Sequence, residues 1–307
     1  MENVAVLSPQ SVTKQHARRH RNGKIKIRTQ SRSTVILKIL AAVLLFLTVY
    51  AFYAFDYKEI SLGEAVAATF HNMKTVFLEP RLSTDTIQNV LYQLLITFCL
   101  GILSTIFGAV LAFFCSLLCA KNLAPAWIAN LVKSVVALVR AVPTVLWVLI
   151  FAVSAGLGSV AAVIGLTFHS FAYLTKVYAE SIEEMDGGTL EALRASGAGF
   201  WQIVFQAVVP ASISRMVAWT FMRFEINFTN AVAMGAAAGA GGIGFQLFMA
   251  GSFYFNLHEM GFLTYVVVIA VVILEYSSTK IKERVLSEES KHGKKATVSD
   301  PLQSRTR

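Results

Sequence analysis

Six runs of this sequence are apolar over lengths that approach or exceed the thickness of a bilayer core, and nothing else in the chain constrains the fold as tightly. They cover approximately Val35–Phe55, Thr86–Leu118, Ala126–Val153, Leu157–Ala179, Ala211–Ala238 and Gly261–Tyr276. In hydrocarbon a backbone must satisfy its own polar groups, so such runs fold as helices. The expected fold class is all-α: a polytopic membrane protein with six transmembrane helices. Composition agrees, since only 15% of the 307 residues are charged, where a soluble domain carries roughly a quarter. Cys99, Cys115 and Cys119 lie inside one run. No metal-type Cys/His spacing surrounds them, and they read as small membrane-helix residues without a disulfide role.

The net charge of +9 raises nucleic acid as a partner, but the position of the charge points elsewhere. Residues 1–34 carry Lys14, Arg18, Arg19, Arg21, Lys24, Lys26, Arg28 and Arg32 against one acid, Glu2, with no aromatic residue for base stacking. This is a positive-inside topology signal rather than a nucleic-acid or lipid-binding arm. The run 35–55 is too long, and too far from the start, for a typical signal peptide, and is expected to stay as the first span. Residues 56–85 are richer in acids than bases and are assigned outside. There Ser61 and Glu64 have capping-box spacing, and Leu62, Val66, Phe70, Met73 and Phe77 repeat at helical spacing. An amphipathic helix packed on the outer surface of the bundle is expected, in preference to a partner-binding one. Lys280, Lys282 and Arg284 open a second basic tail, 280–307. Two cytoplasmic tails require an even number of spans, which six satisfies. The chain is therefore expected in the cell membrane, multi-pass, with both termini cytoplasmic. Its core, 86–279, then holds a cytoplasmic loop, 180–210, between the fourth and fifth spans.

That loop has structure of its own. Glu180, Glu183, Glu184 and Asp186 lead to Gly187-Gly188, where a break is expected. A short helix then starts at Gly188 or Thr189 and runs through Ser196. Gly197 and Gly199 permit a sharp turn, and Phe200–Val209 forms a second short helix with Phe200, Ile203, Val204 and Ala207 on one side. Pro210 suits the first turn of the fifth span. Two short helices joined at a glycine, flat on the membrane surface, make a rigid knob for a groove on a cytoplasmic partner. A surface connector with no partner is the alternative.

The stretch resembles the EAA loop of binding-protein-dependent ABC importers, whose pattern is E-A-A, three residues, G, nine residues, I-x-L-P. Glu191, Ala192, Gly197 and Pro210 stand at that spacing, while Leu193, Ala207 and Val209 are apolar departures from it. The resemblance implies a loop that docks into a cleft of an ATP-hydrolysing subunit. From Asp85 onward the chain looks like the permease subunit of phosphonate ABC importers. The resemblance is carried by RAVPTVLWVLIF (Arg140–Phe151), GLTFHS (Gly165–Ser170), YAESIEEMDGGTLEALRASGA (Tyr178–Ala198), FMRFEINFTNAV and AGAGGIGFQL. Phosphate, phosphite and organophosphonate systems share this look, so it implies a type I ABC importer permease for a phosphorus oxyanion without choosing among them. It further implies a separate cytoplasmic ABC ATPase that carries the ATP and Mg, an extracytoplasmic substrate-binding protein, and a homodimer of the permease. No cofactor is expected on this chain and no nucleic acid as partner.

The residues also speak without the resemblance. A charge at the bilayer centre costs about 2.5–3.5 kcal/mol on insertion scales, so such residues face protein or water. Arg140, His169, and Arg223 with Glu225 fall near the middles of the third, fourth and fifth runs. Cations at similar depth on three helices suit an anionic guest, since guanidinium matches phosphonyl oxygens bidentately. Arg223 and Asn227 are one turn apart and share a face, whereas Glu225 points elsewhere and can neutralise one arginine at rest. The candidate substrate pathway is Arg140, His169, Arg223, Glu225 and Asn227. The alternative is an Arg–Glu pair that only holds helices together, with His169 bonded to a neighbouring backbone. Lys133 and Lys176, nearer the cytoplasmic ends, are expected to snorkel.

Pro143 is expected to kink the third span and expose a carbonyl. Gly239, Gly241 and Gly244 satisfy G-x-G-x-x-G. They follow a membrane helix rather than a strand, so close helix packing or a re-entrant turn near the outer mouth is expected in place of a dinucleotide site. No P-loop, H-E-x-x-H or G-x-S-x-G motif occurs, which points to a transport subunit whose ATPase is another polypeptide and not to an enzyme. An ion-coupled carrier or channel for small anions, working without an ATPase, is the competing function. A membrane-embedded enzyme would need a nucleophile or metal constellation that the residues do not supply.

Overall fold

In the computed structural model, residues 32–54 and 61–298 are described, with side chains for 33–54, 61 and 63–284. Almost all of the basic N-terminal tail and the end of the C-terminal one lie outside those residues. The described residues form helices and no strand. They divide into two units, residues 1–67 and 68–307. The first holds α1 (Arg32–Ala54), the expected first span. Its residues 33–54 reach a mean hydropathy of 2.5. At 1.5 Å per residue they extend about 33 Å, enough for a hydrocarbon layer of about 30 Å. The helix α2 (Leu62–Leu78) begins in this unit, where the Ser61 hydroxyl accepts the Glu64 N–H at 3.3 Å as the capping-box spacing predicts.

The second unit contains α3 (Ile87–Cys119), α4 (Ala126–Ala141), α5 (Thr144–Ala155), α6 (Ser159–Glu183), α7 (Gly187–Ala195), α8 (Phe200–Ala238), α9 (Gly242–Phe253) and α10 (Leu257–Val298). Helices α3 and α6 make the most extensive pair, α8 lies against both, and α10 packs on α8. Three apolar clusters lie along this core. Leu117, Ile182, Leu190 and Val204 belong to the one at the α7 end, Leu100, Leu166 and Met234 to the middle, and Val90, Ile243 and Leu263 to the far end.

The third apolar run is not the single kinked span expected. It is two short helices, α4 and α5, meeting at 87°. Proline disfavours the helical region for the residue before it, and Val142 accordingly has φ −82° and ψ 124°. The break frees carbonyls at the end of α4, and the Trp147 indole N–H returns across it to donate to the Val139 carbonyl at 3.0 Å. The fifth span also differs from expectation. The loop's second short helix and the span are one helix, α8, continuous through a π turn at Val204–Val208. A proline ring clashes with the carbonyl four residues before it. The wider turn, with the Val209 N–H bonded to the Val204 carbonyl, lets the helix run past Pro210.

The glycine-rich stretch after α8 reverses the chain with positive φ at Gly239, Gly241 and Gly242, so α9 returns along α8. A methyl group on Gly244 would collide with the Val232 carbonyl oxygen. Close packing at a re-entrant turn, as expected, is what these glycines provide. At the same end, buried Glu259 of α10 accepts the N–H groups of Thr84 (3.2 Å) and Asp85 (2.9 Å) and the Asn256 side-chain amide (2.8 Å). The end of α2 joins this region through backbone atoms, with the Tyr265 hydroxyl donating to the Phe77 carbonyl at 2.7 Å and Gly261 against Val76. Its predicted apolar face does not supply the packing: Phe70, Met73 and Phe77 are exposed.

Gly244→Ala should therefore reduce the yield of monodisperse protein in detergent severalfold. Gly187→Ala, where the added methyl meets nothing within 4 Å, should leave it unchanged. Fluorescence-detected size exclusion on the two variants checks both outcomes.

Candidate functional site

The loop between α6 and α8 folds as an elbow. Asp186 caps α7, its carboxylate accepting the Thr189 N–H at 3.2 Å, so Gly187-Gly188 opens the helix where the sequence suggested a break. Leu190 turns inward and is 2% exposed, packed among Leu117, Ile182, Ile203 and Val204. Glu191 and Ala192 face outward and are exposed. The helix ends in a Schellman motif, with the Ala198 N–H bonded to the Leu193 carbonyl and the Gly197 N–H to the Arg194 carbonyl, each at 3.0 Å. Gly197 has φ +83°, a conformation that costs glycine nothing and strains any residue with a Cβ. Gly199 donates its N–H to the Gln202 side chain at 2.7 Å, which starts α8. Pro210 lies two residues past the π turn and is exposed.

Side chains then tie the elbow to the surrounding helices. Arg194 donates to the Asn122 carbonyl at 2.7 Å, and the Asn122 amide donates to the Ile182 carbonyl at 2.8 Å. One oxygen of Glu183 accepts both the Lys121 N–H (2.8 Å) and the Lys133 ammonium (2.7 Å). Arg215 pairs with Glu184 at 2.9 Å. The turn between α3 and α4, the end of α6 and α8 are thus bonded to one another beside α7, which joins them through Arg194.

Deeper in the bundle, α3, α6 and α8 enclose a polar cluster. Arg223 is 2% exposed and Asn227 0%, on one face of α8 as their spacing predicts. The Arg223 Nε donates to the Ser170 hydroxyl at 3.0 Å. The Asn227 amide donates to Ser170 at 2.7 Å and to Thr105 at 2.8 Å. The guanidinium carbon of Arg223 lies 5.3 Å from the centre of the Tyr173 ring. Its Nη2, like the Nδ1 of His169, is buried with no hydrogen-bond partner among the described residues. An orphaned donor of this kind costs about 1–3 kcal/mol, which makes the cluster a site with unused capacity for an acceptor. Ser170 and Thr105 complete it and were not singled out by sequence reasoning.

The other candidates are distributed differently. His169 is half-buried and within electrostatic reach of both Arg223 and Arg140. Arg140 is not mid-helix but in the last turn of α4 beside the break, exposed and lining a cavity. Glu225 is half-buried and forms no ion pair with an arginine among the described residues, so the expected neutralisation is absent here.

Comparison with known proteins places this geometry in a family. The Phosphate-import permease protein PhnE of Mycolicibacterium smegmatis is 31% identical over 194 residues, 62% of this chain and 36% of that protein. The Phosphite transport system permease protein PtxC of Stutzerimonas stutzeri is 32% identical over 152 residues, 49% of this chain and 55% of that protein. The chain thus spans about a third to a half of the length of these curated relatives. Among solved structures, a chain of the MetNI methionine ABC transporter in an inward-facing conformation superposes with a TM-score of 0.59 at 23% identity, covering 66% of this chain and 99% of that one. The fold is accordingly that of a type I ABC importer permease, in a multi-pass membrane protein. Residues 112–281, more than half of the chain and the part that holds the elbow and all of the polar cluster but Thr105, match the family described as Binding-protein-dependent transport system inner membrane component, and the chain belongs to that family.

Proposed function

We propose that this chain is the membrane-spanning permease subunit of an ATP-driven importer for phosphonate or a related phosphorus oxyanion. The observation that carries this reading is the elbow: a short helix with Glu191 and Ala192 turned outward, Leu190 anchored in the core and its flanks bonded to three other elements. Such a part receives force from outside the bundle and delivers it to the helices. A separate ABC ATPase with its ATP and Mg docks at Glu191, Ala192, Gly197 and Pro210 on the cytoplasmic side, where both termini also lie. A substrate-binding protein delivers the anion from the other side, and two copies of this chain form the permease. The anion is accepted at the unused donors of Arg223, held in place by Ser170 and Asn227, with His169 and Arg140 on the same route and Glu225 at its edge. The similarity to proteins named for phosphate and phosphite transport supports the substrate class. ATP binding then rocks the bundle between outward- and inward-open states.

Uptake of labelled phosphonate, phosphite and phosphate by cells lacking this protein should fall for the transported anion. Proteoliposomes holding this chain alone should show no uptake; movement of solute without the ATPase would replace this reading by a carrier or channel. Glu191→Lys and Gly197→Asp should leave the protein in the membrane while uptake falls to background and the ATPase no longer co-purifies. Normal co-purification and transport in both variants would refute the docking role. Arg223→Gln should lower uptake about tenfold or more, the loss of a charge-assisted hydrogen bond, with an unchanged size-exclusion profile. Loss of folded protein instead would mark Arg223 as structural.

A further inference from the structure

Near the elbow, a cavity of about 250 Å³ opens between α3, α4 and α6. It is lined by Lys133, Arg140, Lys176, Glu180 and Glu183, over an apolar wall that includes Cys119. Helix register brings these groups together. Lys133 and Arg140 are seven residues apart on α4, two turns along one face, and so are His169 and Lys176 on α6. Both lysines line the same hole as Arg140.

The cations differ in how firmly they are held. Lys133 is bonded to Glu183 at 2.7 Å, and Glu183 also holds the Lys121 N–H. Lys176 meets Glu180 at 3.5 Å with both side chains about half exposed, a contact worth little and easily exchanged. Arg140 forms no ion pair among the described residues. Three cations against two carboxylates leave the cavity positive, with one free guanidinium and one weakly held ammonium. Its volume equals that of about eight waters, room for a tetrahedral oxyanion with part of its hydration shell. One face of α6 leads from His169, next to Ser170 of the polar cluster, to Lys176 in the cavity wall. Along α6 the step from His169 to Lys176 is about 10 Å.

We propose that this cavity is a second binding site for the soluble phosphorus oxyanion, on the exit side of the pathway, with Arg140 as the group that grips it and Lys176 as the exchangeable second cation. The proposal rests on the reading of the chain as a permease for such an anion. In the full chain with Cys99, Cys115 and Cys119 replaced by Ala, Ala137→Cys places a reporter thiol in the cavity wall. Its alkylation by an uncharged maleimide is followed in inside-out phosphatidylcholine vesicles, without ATP or partners. Inorganic phosphate or methylphosphonate should slow labelling relative to chloride at equal ionic strength. Arg140→Gln should raise the half-protecting concentration about tenfold or more, as expected when one charge-assisted hydrogen bond is lost. Arg140→Lys, which keeps the charge, should retain most of the protection and shows that the fold survives change at this position. Labelling indifferent to phosphate, or equally protected in Arg140→Gln, overturns the proposal. So does labelling slowed by phosphatidylglycerol in the vesicles with no further effect of phosphate, since a lipid headgroup would then fill the cavity. Protection without ATP-driven uptake would discard the importer reading alone, and uptake without protection the cavity alone.

Discussion

A backbone in hydrocarbon cannot leave its amides and carbonyls unbonded, and the organisation of this bundle follows from how that rule is met where helices are interrupted. At Pro143 the freed Val139 carbonyl is taken by the Trp147 indole. Before Pro210 the bond pattern widens by one residue, from Val209 to Val204. At the glycine-rich turn, the Ala240 carbonyl receives the Ser159 hydroxyl and the Ile243 N–H donates to the Thr97 hydroxyl. The last repair uses side chains of α3 and α6. At Pro143 and at the glycine-rich turn the interruption is in this way also a tie to another helix.

The number and order of apolar runs could be read directly, because hydrophobicity over a bilayer length is a local property of sequence. The bend at Pro143 could not be sized. A proline announces that the helix is disturbed, but only the β conformation of Val142 and the position of Trp147 decide between a kink and a right-angle break. Likewise, Pro210 looked like the start of a span because no residue pattern marks a π turn. For α2, helical periodicity was correct as to the helix and misleading as to packing, since Tyr265 and Gly261 meet its backbone and leave Phe70 and Met73 uncovered.

The elbow was legible because its parts are close in sequence: an acidic cap, an inward leucine, a glycine that needs a left-handed backbone. The polar cluster was legible in half. Arg223 and Asn227 stand out as ionic and amide groups one turn apart in an apolar run. Ser170 and Thr105 do not, because hydroxyls in membrane helices commonly bond their own preceding turn, and these two do so as well, to Leu166 and Gly101. Which hydroxyls also serve a neighbour is settled only by packing. Lys133 and Lys176 illustrate the same limit. Their places in the sequence do not say that both line one cavity with Arg140, since that depends on how α4 packs against α6.

The widened turn at Val204–Val208 has a mechanical consequence. A helix with one surplus residue in a single turn can exchange that residue for twist: if the turn tightened to regular geometry, everything before it would swing by about 100° around the axis relative to the membrane portion. This turn sits between the elbow and Arg223, so such a change would alter how the two face one another. A straight α-helix there would be a push-rod; with the surplus residue it has the makings of a screw.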